Sequence, residues 1–370
     1  MLSQHRDWPD TMTARDTFYK VLFFLILLYI FFVSIQLMGS AFKLFGRGFA
    51  ETLLSTTSNP FIGLLAGILA TSVVQSSSAT TSIVVGFVAA GNLTIANAVP
   101  IIMGANIGTT VTNTVVSLAH VHRRTEFERA FAGATCHDFF NLLAVIAIFP
   151  LEVKFQVVSR LAALATSLFV RIGGIEVINP LKMATGPVVR LLKSASFNQP
   201  LAMLALALIM LFLSLRFITR LMRGLVASKA EKSLNERVFK SPWRSFLMGA
   251  SLTAIIQSSS VATSLMVPLV GAGIVTIERK FPYTLGTNIG TTVTAILASL
   301  ATANPAAITI ALCHLIFNIL GISLFYPLRW IPIGLAKELG RMVAKKRWHA
   351  LTYVVFTFYV IPLALIFLWR

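Results

Sequence analysis

Charge is what this sequence has least of. Asp, Glu, Lys and Arg make up only 12% of its 370 residues, and just 13 are acidic. Soluble domains carry about 25% charged residues. With 56% apolar residues and a mean hydropathy of +0.81, the chain cannot cover itself with polar surface in water, which excludes a soluble globular domain. A formal charge of +18 usually points to nucleic acid, but here the basic residues border long apolar runs, the pattern of cytoplasmic membrane loops, so no nucleic-acid partner is expected. Cysteine is scarce as well. Cys136 and Cys313 each lie inside an apolar run, which excludes a disulfide scaffold and a four-cysteine zinc site, and both read as small buried side chains. The first twenty residues mix Arg, Asp, Trp and Pro and lack the pattern of a cleaved signal peptide, so the first apolar run is expected to stay as a membrane helix. Gly-x-Ser-x-Gly and His-Glu-x-x-His are absent, and the side chains of the adjacent His137 and Asp138 diverge by about 100° on a helix. An intramembrane serine hydrolase is therefore the weaker reading, and the chain is expected not to be an enzyme.

What is present is a set of apolar runs. Five are long enough to cross a bilayer as helices, at residues 18–39, 130–149, 201–221, 306–326 and 351–369. Between them lie shorter or interrupted ones. Runs 61–74 and 79–91 flank Gln75-Ser76-Ser77-Ser78, and runs 246–256 and 261–273 flank Gln257-Ser258-Ser259-Ser260. Run 95–119 is expected to break at 104–108, and 284–300 at 286–290. The interruptions come in pairs. Gly67/Gly249, Thr71/Thr253, Gln75/Gln257, Asn106/Asn288 and Thr109/Thr291 are each 182 residues apart. Cys136-His137 and Cys313-His314, Asn141 and Asn318, and Pro150 and Pro327 are 177 apart. A duplicated unit with a five-residue loop deletion explains all of them.

The expected order is a cytoplasmic N-terminus (1–17), a first helix (18–40), the first copy (61–151), an external interfacial segment (152–200), a linking helix (201–221), a cytoplasmic basic loop (222–244), the second copy (245–328), a cytoplasmic basic segment (329–348) and a last helix (349–370). Basic residues such as Arg216, Arg220, Arg237, Lys240, Arg341 and Arg347 set that orientation. Counting helices from it turns the second copy upside down relative to the first. The expected fold is therefore an all-α polytopic membrane protein with two inverted repeats, each with a re-entrant helical hairpin and a broken membrane helix. The basic residues of the external segment, Lys154 to Lys193, fit an amphipathic helix along the interface.

Broken helices at membrane depth must be buried in protein or line a cavity. After each Gln-Ser-Ser-Ser break, the next half-helix starts with unpaired N–H groups and a positive dipole end, which favour an anion. The serine hydroxyls add donors, and with free carbonyls they can also ligate a hard cation. Small polar residues also serve helix packing, but the same Gln and three serines in two copies favour a binding role. Asn106 and Asn288 read either as ligands at the breaks or as caps of their own half-helices. Asp138 is the one acidic residue within an apolar span, and Asn141 lies one turn away, so the two read as half of a cation site. The alternative for Asp138 is a salt bridge to a residue such as Arg129. Its counterpart in the second copy is Leu315. His137 and His314 read as helix-packing hydrogen bonders.

Residues 75–82 (QSSSATTS), 257–264 (QSSSVATS), 100–112 (PIIMGANIGTTVT), 130–141 (AFAGATCHDFFN) and 286–294 (GTNIGTTVT) resemble the type II sodium–phosphate cotransporter family, over about residues 41–362. The resemblance implies a secondary transporter that takes up divalent phosphate with Na⁺ by alternating access. It implies phosphate on Gln75, Ser76, Ser77, Ser78, Gln257, Ser258, Ser259 and Ser260. It implies sodium on Gln75, Gln257, Asp138, Asn141, Thr110, Thr292, Asn106, Asn288 and Asn318, with Na⁺ as coupling ion and no cofactor. Ala132-Gly133-Ala134-Thr135 followed by Asp138 resembles the electrogenic members, which implies an extra sodium site and net positive charge moved per cycle. The expected location is the plasma membrane, in contact with lipid. The short segment 151–200, without an Asn-x-Ser/Thr acceptor, suggests a bacterial member and hence the inner membrane. Protein partners are left open. The rival readings are a carrier of another oxyanion such as sulfate or arsenate, a proton-coupled carrier, and a structural or receptor protein in which the breaks serve packing alone.

Overall fold

The computed structural model describes residues 14–171, 179–233, 239 and 241–369, and every element among them is helical. The first thirteen residues of the expected N-terminal segment, and Arg237 and Lys240 of the basic loop, lie outside the described residues.

The first half contains α1 (Ala14–Leu44), α2 (Gly46–Thr56), α3 (Pro60–Val74), α4 (Ser77–Ala90), α5 (Ile95–Gly108), α6 (Val111–Ser117), α7 (Arg124–Phe155), α8 (Val157–Arg171) and α9 (Asn179–Ala195). The second contains α10 (Pro200–Ser233), α11 (Pro242–Ile256), α12 (Ser259–Ser264), α13 (Met266–Gly271), α14 (Ile277–Thr302), α15 (Pro305–Phe325), α16 (Trp330–Lys345), α17 (Trp348–Val355) and α18 (Ile361–Trp369). A π-helical turn, Phe356–Val360, joins the last two.

By length and composition, six described helical stretches can cross a membrane: Phe18–Leu44, Ile95–His120, Arg124–Phe155, Pro200–Leu221, Pro305–Phe325 and Trp348–Trp369. Five of them match the five apolar runs, with only Tyr326 of run 306–326 left outside its helix. They overrun those runs because a helix keeps its hydrogen bonds past the hydrocarbon edge. By contrast, α3 and α4 hold 15 and 14 residues, about 22 Å of helix each, too short for a hydrocarbon core of about 30 Å.

Each copy is punctuated by the same local chemistry. Asn59 caps α3 ahead of Pro60, and Ser241 precedes Pro242 at the start of α11. Thr94 and Thr276 cap α5 and α14, accepting from the N–H of Asn97 and Arg279. Gly91 and Gly273 hold the preceding turns at φ 81° and 76°.

Neither expected break falls where the sequence places it. Helix α5 runs through residues 104–108 and gives way to α6 only at Thr109-Thr110, and α14 runs through residues 286–290 without a break. Its glycines serve a different purpose. A Cβ on Gly286 would sit 2.0 Å from the Phe246 carbonyl oxygen, and one on Gly104 would sit 1.9 Å from that of Leu64. In return, a Cβ on Gly249 or Gly67 would sit 2.1 Å from the carbonyl oxygen of Tyr283 or Ile101. The four glycines let α3 lie backbone to backbone on α5, and α11 on α14, as small residues do in membrane helix pairs.

Elsewhere α1 packs along α10, and α16 along α7. The expected interfacial segment is helical where described. Helix α8 packs on α15 through a Thr309–Thr166 hydrogen bond, and α9 reaches α1, where the Tyr29 hydroxyl donates to the Ala184 carbonyl.

Candidate functional site

Each Gln-Ser-Ser-Ser segment is a helix stop followed at once by a helix start. Gln75 and Gln257 end α3 and α11 in the left-handed region, at φ 54° and 58°. That conformation is costly for a residue with a Cβ and turns the chain sharply. Ser76 and Ser258 are then extended N-caps, whose hydroxyls accept from the N–H of Ala79 (3.2 Å) and Val261 (3.3 Å). The capping leaves the first-turn N–H groups of Ser77, Ser78, Ser259 and Ser260 without helical acceptors, and all four residues are buried.

The two tips meet. The Ser78 hydroxyl lies 3.4 Å from both the Gln257 carbonyl and the Thr294 hydroxyl. Thr294 donates to Gln257 Oε1 at 2.7 Å, and the Gln257 amide donates to the Ala254 carbonyl. Across the other contact, Asn113 Oδ1 accepts from Thr263 (2.8 Å) and Ser264 (3.1 Å). The tips are not equivalent, however. Gln257 is buried at 8% exposure whereas Gln75 is exposed, and Thr112, the counterpart of Thr294, has a buried hydroxyl without a partner.

Behind the tips lies a reciprocal network between the copies. Asn106 Oδ1 meets His314 Nε2 at 3.0 Å, and Asn106 Nδ2 donates to Asn318 at 3.2 Å. In exchange, Asn288 Oδ1 meets His137 Nε2 at 2.6 Å, and Asn288 Nδ2 donates to Asn141 at 2.8 Å. Each asparagine of one copy binds the His and Asn of the other, so the exchange is reciprocal. Asn106 and Asn288 thus bridge the copies and do not cap their own half-helices. Asn141 also donates to the Asn106 carbonyl at 2.6 Å, whereas Asn318 turns back to the His314 carbonyl at 2.9 Å.

Asp138, 3% exposed, breaks the symmetry. Its Oδ2 accepts from Thr114 (3.1 Å) and Tyr353 (3.0 Å), and its Oδ1 has no partner. Thr110 borders the carboxylate while donating to the Ile107 carbonyl at 2.8 Å. No ion pair among the described residues involves Asp138, so the salt bridge to Arg129 does not form. Asn141, one turn along from Asp138, is held by Asn106 and Asn288. Thr292 donates to the Ile289 carbonyl of its own helix.

Unpartnered buried polar atoms gather in this region. They include the hydroxyls of Thr71 and Thr253, equivalent residues one turn before each Gln, those of Ser72, Ser82 and Thr109, and Nδ1 of both His137 and His314. Such atoms are rare in folded proteins, and a cluster of them marks groups available to a ligand. All the candidate donors are oxygens, amides and imidazoles. Among the described residues no group of three or more His, Cys, Asp and Glu could hold a transition metal. A cleft of about 480 Å³ opens beside Arg129, Ala132, Ile277 and Glu278, in the first turns of α7 and α14.

Sequence reasoning missed Thr114, Tyr353 and Lys280. The first and third stand where the other copy has Ile296 and Ala98, so comparing the copies for lost symmetry would have found them. Tyr353 lies outside both copies and carries no such signal.

A membrane protein of two interlocked helical copies, each with a hairpin tip that ends on serines, is the class this geometry defines. The Na+/Pi-cotransporter family model matches residues 30–176 and 210–368, and the chain belongs to that family. It is 36% identical to sodium-dependent phosphate transport protein 2B of Pongo abelii, over 93% of this chain and 64% of that protein. It is 37% identical to transport protein 2A of Ovis aries, over 94% of this chain and 67% of that protein. The chain therefore spans about two thirds of the length of these relatives. No solved structure is significantly similar to it.

Proposed function

We propose that the protein is a secondary transporter that couples inward Na⁺ movement to uptake of inorganic phosphate, as the relatives' names describe for them. The observation that carries this reading is the meeting of the two Gln-Ser-Ser-Ser tips, Ser78 against Gln257 and Thr294. The helix starts there converge buried N–H groups and hydroxyls, which suit a small oxyanion with several acceptor oxygens. Phosphate in its divalent form docks between the tips, on Gln75, Ser76, Ser77, Ser78, Gln257, Ser258, Ser259 and Ser260, with Ser76 and Ser258 acting mainly through the caps they provide. Sodium takes the free Oδ1 of Asp138 together with neutral oxygens around it, which suits a hard cation. Thr110, Thr292 and the asparagines 106, 141, 288 and 318 hold the surrounding polar belt.

One Na⁺ more, held on the Asp138 carboxylate, adds a positive charge to those moved in each cycle, and hence makes the cycle electrogenic. The two copies lie inverted in a plasma membrane, with the basic loops and the N-terminus in the cytoplasm. They alternate between two arrangements that open one tip and then the other. Uptake of labelled phosphate into proteoliposomes tests the reading, with Na⁺ replaced by choline and with sulfate and arsenate as competitors. The expected result is uptake that stops in choline and that sulfate does not suppress. Uptake that continues in choline, or that sulfate suppresses as strongly as unlabelled phosphate does, overturns it.

A further inference from the structure

Lys280 is fully buried in α14, with no exposed surface, where the first copy has Ala98. Removing an ammonium from water costs several kcal/mol even after the protein relaxes. Here one visible hydrogen bond stands against that cost, from Nζ to the Gly133 carbonyl of α7, an oxygen that also accepts from the Cys136 thiol. A lysine has three donors, so one shared carbonyl does not account for its position. No carboxylate lies within ion-pair distance of it among the described residues, yet Asp138 follows Gly133 by five residues on α7, about 7.5 Å of helix rise away. The ammonium therefore acts on the carboxylate through space without occupying it. Oδ1 of Asp138 stays unpartnered and Oδ2 is held by Thr114 and Tyr353.

We propose that Lys280 is a resident cation of the Asp138 sodium site, whose positive charge weakens and so sets the hold of that carboxylate on Na⁺. This inference rests on the sodium role assigned to Asp138 above. The charge arithmetic gives it a mechanical meaning. With Lys280 in place the empty Asp138–Lys280 pair is neutral and the sodium-loaded pair is singly positive, so the membrane potential acts on the loaded step. With an alanine there, the empty site would be singly negative and the potential would act on its return.

The test is a double-mutant cycle of Lys280→Met and Asp138→Asn, read as the Na⁺ concentration for half-maximal phosphate uptake and as the Na⁺-dependent rise in melting temperature of purified protein. Over a separation beyond ion-pair contact, at an effective dielectric constant of about 20, removing the ammonium should tighten Na⁺ about tenfold. In the Asp138→Asn protein the same substitution should shift the Na⁺ dependence less than twofold, and Lys280→Arg should keep the original value. Methionine keeps the unbranched stem, and replacing a buried charge by an apolar side chain is often neutral for folding. Should Lys280→Met not fold, Lys280→Ala, the residue of the first copy, stands in for it. An unchanged Na⁺ dependence, or an equal shift with and without Asp138, overturns the proposal and leaves Lys280 as a cross-link between α7 and α14. A wild-type protein that neither transports phosphate with Na⁺ nor is stabilised by it overturns the sodium role of Asp138 itself.

Discussion

Asp138 sits where a carboxylate is costly, and its surroundings reduce that cost by hydroxyls. Thr114 and Tyr353 each give one hydrogen bond to the same oxygen, and the other oxygen is left free. That half-satisfied state is the residue-scale basis of the proposed cation site. Replacing Asp138 by Gly, as in a chain without the extra charge, is expected to preserve Na⁺-dependent phosphate uptake while removing its acceleration by an inside-negative potential. Transport currents before and after the substitution check it, and an unchanged sodium-evoked current contradicts the assignment. Tyr353→Phe removes one hydroxyl from the carboxylate and should cost about 1–3 kcal/mol of stability, read as a lower melting temperature of the purified protein. The glycines of the helix contacts are less forgiving. Gly104→Ala or Gly286→Ala drives a methyl to within 2.0 Å of a backbone carbonyl oxygen, so the helices must separate. Loss of folded protein, or destabilisation of about 3 kcal/mol, is expected in a melting assay.

Among the elements, the hairpin tips separate folding from binding most cleanly. Gln75 is exposed and left-handed, so its side chain contributes little to packing and its conformation is one that glycine adopts freely. Gln75→Gly is therefore expected to leave stability unchanged or to raise it by about 1 kcal/mol while phosphate uptake falls. Unchanged uptake in a stable protein would remove Gln75 from the site. Ser76→Ala behaves in the opposite way. It deletes the cap of α4 and should lower stability by about 1 kcal/mol.

These tips were legible in the sequence because a polar Gln-Ser-Ser-Ser in an apolar run has few physical meanings, and because it occurs twice. The break in the second copy was misread for a local reason. Gly286, Asn288 and Gly290 look like a helix interruption, but in α14 Gly286 and Gly290 answer to the backbone of α11 at Phe246 and Ala250, each 40 residues earlier, a demand that no local pattern carries. Tyr353 escaped notice for the same reason. Its partner is on α7, 215 residues earlier.

In the whole molecule, duplication supplies the frame and departures from it supply the function. The exchange of Asn106 with His314 and Asn318, and of Asn288 with His137 and Asn141, ties the copies by the same contacts in both directions. Against that frame Gln75 is exposed and Gln257 buried, the difference that the proposed alternation of the tips calls for in any one state. A thiol placed by Gln75→Cys should react with a water-soluble reagent more than about tenfold faster than one placed by Gln257→Cys, with conditions that favour the opposite state reversing the order. Both native cysteines are buried and give little background. Equal reactivity in all conditions would argue against alternating tips.

Phosphate uptake into proteoliposomes under an inward Na⁺ gradient, with the potential set by potassium and valinomycin, tests the central claim most directly. The structure, with Asp138 half-satisfied beside two converging serine tips, predicts uptake that requires Na⁺ and rises as the interior is made negative. Uptake that requires Na⁺ but ignores the potential, or no uptake by folded protein, would contradict it.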